Sequence, residues 1–155
     1  MEIYHGSNKA IETPRILKEG FTKDFSYGFY CTTILKQAKR WAARKGFGSG
    51  VISKYEFNLE YIFKENLSML KFSEPSEEWL DFIVKCRSGE LCDYDIIEGP
   101  MADDKIYNFI NAYMGGNITR EQFWALAKFD YPTHQLCFCT EKALKSIEYR
   151  GHING

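Results

Sequence analysis

The chain has 155 residues, 45% hydrophobic and 26% charged, with a formal net charge of −1. That length and balance describe one domain, residues 1–155, large enough to bury a core, and the near-zero charge argues against general binding to phosphate backbones. No apolar run approaches membrane-spanning length and no charged-then-apolar leader opens the chain, which predicts a cytoplasmic protein without a membrane partner.

Five cysteines without a leader predict reduced thiols. Cys137 and Cys139 fall on one face of a strand, Cys86 and Cys92 are too loosely spaced for a zinc knuckle, and no metal site is expected. Aromatic residues make up 16% of the chain, which suits β-rich cores and stacking pockets equally. Lys36, Lys39, Arg40, Arg44 and Lys45 read as a solvated helix face.

In chain order, Glu2 to His5 predicts a short strand ending at Gly6-Ser7. Pro14 to Glu19 predicts one helical turn with Ile16 and Leu17 inward and Gly20 as its stop. Gly28 to Thr32 is a second strand. Thr33 then caps a helix carrying Ile34, Ala38, Trp41, Ala42 and Lys45, which Gly46 ends. After a glycine-rich turn at 46–50, Val51 to Leu59 alternates as a strand with Val51, Tyr55, Phe57 and Leu59 on one face. Leu67 to Phe72 is a further strand, and Pro75-Ser76 leads into a helix from Glu77 to Cys86. Tyr94 to Ile97 forms a strand that breaks at Gly99-Pro100. Asp103 and Asp104 open a helix with the stripe Ile106, Phe109, Ile110, Tyr113, stopping at Gly115-Gly116. Thr119 and Gln122 form a capping box for a short helix through Phe123, Leu126 and Ala127. Gln135 to Cys139 is the last core strand, and Thr140 to Ile147 packs back as a helix. The pattern is α+β.

Two segments carry chemistry. Tyr4-His5-Gly6-Ser7 sets a histidine beside a glycine, and Tyr27-Gly28-Phe29-Tyr30-Cys31-Thr32-Thr33 sets a tyrosine near another. An imidazole offers a hydrogen bond, a glycine gives a ligand access to bare backbone, and a phenol offers a stacking face. Together they suit a flat ring bearing an amide. A Cys–His pair and a Gly-x-Ser-x-Gly elbow find no supporting local sequence.

These segments, with Ile16-Leu17-Lys18-Glu19-Gly20 and Trp41, resemble the first half of a poly(ADP-ribose) polymerase-type catalytic domain, in order and in distance. The likeness covers the first third densely and returns at Gln135. Gly-Pro-x-Ala-Asp-Asp at 99–104 is similar to a stretch in a compact bacterial family of ADP-ribosyltransferase-like proteins, some of which look like toxins encoded beside a small antitoxin. The resemblance implies an ADP-ribosyltransferase-like fold of two small packed β-sheets with flanking helices. It implies NAD as a substrate lying across the cleft, no metal, and mono-ADP-ribosyl transfer to a macromolecular acceptor. An antitoxin protein is a further implied partner. It assigns His5 to the adenine-side ribose, the Gly6 backbone to the nicotinamide carboxamide, Ser7 as a polar helper and Tyr30 to the nicotinamide ring. Trp41 falls near the second stacking aromatic, although its helical spacing with Ala38 and Ala42 equally fits a core residue.

The chain departs from that pattern at Gln135, where such transferases place a glutamate. Glutamine can bond the ribose hydroxyl of an oxocarbenium-like state but cannot supply negative charge. The departure argues for slow turnover, for transfer without elongation, or for an acid from elsewhere. Asp103 and Asp104 are the candidate substitutes, with helix capping as their bland alternative. Arg15 is a candidate for the pyrophosphate, and Thr32 for ligand contact. The alternative function is a catalytically weak or inactive NAD-binding module working through protein–protein contacts. The segment Phe129 to His134 is expected to read the acceptor.

Overall fold

The computed structural model describes residues 1–16, 24–91 and 93–155. In chain order the elements are β1 (Glu2–Ser7), β2 (Phe29–Cys31), α1 (Leu35–Lys45), β3 (Val51–Phe57), α2 (Leu59–Lys64), β4 (Met69–Lys71) and α3 (Glu77–Arg87). They continue as β5 (Ile96–Gly99), α4 (Asp104–Met114), α5 (Arg120–Leu126), β6 (Gln135–Phe138), α6 (Glu141–Leu144) and β7 (Ile147–Asn154). The strands form two small sheets, ordered β1-β3-β7 and β2-β6-β5-β4. The first sheet is antiparallel throughout, whereas the second contains one parallel pair, β4 with β5. The fold is therefore α+β.

The period of two along each strand decides what each face meets. Ile3, Phe29, Cys31, Tyr55, Phe57, Ile96, Leu136 and Phe138 belong to one buried cluster between the sheets. The alternate residues of the second sheet, Tyr30, Ile97 and Cys137, turn to the opposite face and pack with Trp79, Ile83, Ile106, Ile110 and Phe123 from α3, α4 and α5. The outer face of the first sheet is closed by α1, whose Ala38 and Ala42 meet Ile52. Gly6 makes that contact feasible. A Cβ there would lie 2.2 Å from the Ala38 carbonyl oxygen and 2.7 Å from the Ala42 nitrogen.

Side-chain caps define most helix starts. Asn58, Ser76, Asp103, Thr119 and Thr140 each accept a backbone N–H, and Thr119 with Gln122 completes the expected capping box. The exception is α1. Its N-cap is Ile34, and Thr32 rather than Thr33 supplies the hydroxyl, accepting from the Ile34 N–H at 3.0 Å.

Several boundaries differ from expectation. Leu59 does not continue β3 but opens α2, because the Asn58 side chain accepts from the Tyr61 N–H and turns the chain. The strand expected at Tyr94 starts at Ile96 and runs to Gly99, paired to β6 as far as Gln135. The helix expected to reach Ile147 ends at Leu144, and β7 follows, half-buried on alternate residues against β3. Residues 14–16 have no regular structure. The rest of the turn expected at Pro14 to Glu19, the Leu17-to-Gly20 part of the Ile-Leu motif, and Cys92 lie outside the described residues. Among the described residues no helix is long and apolar enough to cross a membrane.

Candidate active site

Where β1 and β2 meet, a backbone bridge joins the two sheets. Tyr4 and Thr32 exchange both backbone bonds, at 2.8 and 2.9 Å. Beyond it the strands diverge and a cleft of about 760 Å³ opens, in the size range of small-molecule and cofactor sites. Its walls bring together His5 from β1, Tyr30 from β2, Trp41 from α1 and Gln135 from the start of β6. Asp103 and Asp104 also line it. Four of the remaining candidates do not. Gly6 and Ser7 are buried, Arg15 is exposed, and Thr32 is fully buried beneath the α1 cap. Gly6 retains one relevant feature. Ladder alternation points its N–H and C=O away from β3, towards the edge where β1 and β2 part.

His5 is held tightly. Its Nδ1 lies 2.6 Å from the Tyr30 carbonyl oxygen, which can only accept, so Nδ1 donates and the ring is oriented by that bond. The imidazole stacks on Phe29 with centroids 4.3 Å apart. Tyr30 lines the cleft though it is only 6% exposed, and its hydroxyl is committed elsewhere. It donates to the Ser26 carbonyl at 2.5 Å and accepts from the Phe25 N–H at 3.2 Å. Burial pushes this phenol well above its usual range, and the neighbouring Cys137 and the Asp24 charge push it the same way, so it stays neutral. Ser26 holds a positive φ of 95°, an uncommon conformation that the Tyr30 bond helps fix.

Gln135 is 4% exposed. Its Nε2 lies 3.2 Å from Asp24 Oδ2 and 3.4 Å from the Pro100 carbonyl oxygen. With both amide hydrogens so directed, Oε1 is the atom left to meet a ligand hydroxyl. Asp24 is 7% exposed and lines the same cleft, and its Oδ2 also accepts from the Ala102 N–H at 2.9 Å. The sequence reading missed Asp24. No spacing marks it, because its partners are distant in the chain, and only an acid beside the aromatics Phe25 and Tyr27 hints at it.

The Gly-Pro-x-Ala-Asp-Asp stretch thus works chiefly through its backbone. The Pro100 carbonyl receives Gln135 and the Trp79 indole N–H at 2.9 Å, and the Ala102 N–H holds Asp24. Asp103 Oδ1 caps α4 and its Oδ2 accepts from the Tyr131 hydroxyl at 3.2 Å. Asp104 makes a two-pronged pair with Arg44 at 3.3 and 2.9 Å in the open. Both carboxylates therefore have partners while both residues line the cleft.

The basic residues of α1 divide. Arg40, Arg44 and Lys45 line the cleft, while Lys36 and Lys39 are exposed. Of the segment before β6, Tyr131 reaches the cleft, with the Arg40 guanidinium 5.0 Å from its ring centre. Phe129 instead packs edge-on against Trp79. The start of β6 is fixed by Gln37, whose amide bonds the His134 backbone on both sides at 2.5 and 3.0 Å. The His134 ring accepts from the Thr33 N–H and faces Glu98 Oε2 at 2.7 Å. That bond holds the Glu98 carboxyl below its usual range, against the opposing effect of burial.

Residues 1–149 match the family model described as "Protein of unknown function (DUF3990)". No curated protein and no solved structure matches the chain. The match spans most of the chain, which belongs to this family.

Proposed function

We propose that this DUF3990 family member is a mono-ADP-ribosyltransferase that cleaves NAD and passes ADP-ribose to a macromolecular acceptor. One observation carries the reading: His5, Tyr30, Trp41 and Gln135, remote in sequence, line one cleft at the junction of two sheets. The Tyr30 ring provides a fixed, uncharged face for nicotinamide, and such stacking contributes about 0.5–1.5 kcal/mol. The edge dipoles of Gly6 lie behind it for the carboxamide. His5, oriented by the Tyr30 carbonyl, turns its imidazole to a ribose hydroxyl. Gln135 Oε1 accepts from the hydroxyl of the nicotinamide-side ribose.

In the reaction the bond between ribose C1′ and the nicotinamide nitrogen breaks, and its electron pair leaves with nicotinamide. The acceptor's nucleophile bonds to C1′ and releases its proton to solvent. The charge that develops on the ribose resembles that in glycoside hydrolysis. Tyr131, Lys128 and Asp130 also line the cleft and are assigned to acceptor contact. Gln135 in place of a carboxylate favours a second reading, an NAD-binding module without turnover.

Purified protein incubated with NAD carrying a labelled nicotinamide separates the two. Transferase activity predicts release of label, abolished by His5→Ala and by Tyr30→Ala. Saturable NAD binding without release supports the binding module, and absence of both rejects the NAD reading.

A further inference from the structure

We infer that Asp24 is the anion of this site, supplying through Gln135 the negative charge that glutamine cannot carry. The inference rests on the NAD-cleaving reading above and adds a residue to it.

Three features of Asp24 carry it. The side chain is almost wholly buried yet borders the cleft. Its Oδ2 accepts from two N–H donors, the Ala102 amide and the Gln135 side chain, and both contacts suit an anion. Burying an anion is costly unless hydrogen bonds hold it, so its retention beside the reacting centre needs a reason. Hydrogen bonding supplies the route. A carboxylate accepting from an amide N–H draws electron density towards that amide's oxygen, and chains of such bonds strengthen one another in a low-dielectric interior. Gln135 Oε1 thereby becomes a stronger acceptor for the ribose hydroxyl, and the full charge sits one side chain behind it. Asp24 keeps its charge throughout. It moves no proton, and acts by opposing the positive charge that grows on the ribose as nicotinamide departs.

The geometry also protects the anion. The Pro100 carbonyl that anchors the second Gln135 hydrogen is itself fixed by Trp79, which is fully buried. The amide plane of Gln135 is therefore held with its nitrogen towards Asp24 and its oxygen outward.

Asp24→Asn tests this, because asparagine can preserve both contacts. Its oxygen, in the place of Oδ2, can accept from both the Ala102 N–H and the unturned Gln135 amide, so charge is the chief loss. Nicotinamide release under saturating NAD should fall about 100-fold, within the range for removal of a preorganised electrostatic group, while the Kd for NAD changes less than threefold. Moving the charge forward, in Asp24→Asn/Gln135→Glu, should restore release at least tenfold over Asp24→Asn alone. A turnover for Asp24→Asn within threefold of wild type, with His5→Ala inactive, overturns the role of Asp24 and leaves the NAD reading intact. Should Asp24→Asn melt early, the double variant decides, and no gain over the single variant rejects the inference. A wild-type protein that releases no nicotinamide removes the underlying reading itself.

Discussion

Removing one oxygen from Tyr30 distinguishes what its ring does from what its hydroxyl does. In Tyr30→Phe the aromatic face remains at the cleft, but the Ser26 carbonyl loses its donor at 2.5 Å and the Phe25 N–H loses its acceptor at 3.2 Å. Both groups are buried, and a buried backbone group left without a partner costs about 1–3 kcal/mol. The phenol's own desolvation is relieved at the same time, so a net loss of about 1–3 kcal/mol is expected. At roughly 3 °C per kcal/mol for a chain of this size, the melting temperature should drop by roughly 3–9 °C. Relaxation of Ser26 from its positive φ offsets part of the loss. Thermal and urea denaturation measure the stability, and nicotinamide release measures function. Turnover should fall less than tenfold, since the stacking face survives and Asp24 keeps its bonds to Ala102 and Gln135. Unchanged stability with abolished turnover would refute the reasoning, because the hydroxyl would then be acting on the substrate.

Other perturbations probe different parts of the account. Gly6→Ala drives a methyl into the backbone of α1 and should cost at least about 1–3 kcal/mol in urea unfolding while displacing Trp41 from the cleft wall. Asp104→Ala breaks an exposed pair with Arg44 and should change stability by less than about 1 kcal/mol, with nicotinamide release within twofold of wild type. Asp103→Ala removes a helix cap and should cost about 0.5–2 kcal/mol while its turnover remains comparable to that of Asp104→Ala. For pH, the depressed carboxyl of Glu98 contributes stability that is complete above its unfolded pKa and lost as pH falls through its lower folded value. Urea midpoints measured downward from about pH 5 should therefore fall less steeply in Glu98→Gln than in wild type.

Much of the cleft was legible because local chemistry advertised it. His5 beside Gly6, Tyr30 close after Gly28, and Gln135 at a strand start each stand out in a short window. Helix starts at Ser76, Asp103 and Thr119 were equally local, since a cap and the N–H it receives lie three residues apart. Asp24 was not legible. Its bonds to Ala102 and Gln135 span 78 and 111 residues, so no window of sequence contains them. Asp103 and Asp104 were legible as paired acids after a glycine-proline break, a place that suits a helix cap, and the structure gives Asp103 that cap and Asp104 an ion pair with Arg44. Strand β7 was hidden by the preceding helix and by its composition. It mixes Glu148, Arg150, Gly151 and His152, and only its pairing to β3 makes it a strand.

The placement of NAD itself is tested most directly by a crystal structure of the protein grown with NAD or a non-hydrolysable analogue. The account predicts nicotinamide against the Tyr30 ring, a ribose hydroxyl on Gln135 Oε1, and Asp24 directly behind that glutamine. A dinucleotide bound away from Tyr30 and Gln135, or an empty cleft at saturating concentration, would contradict it.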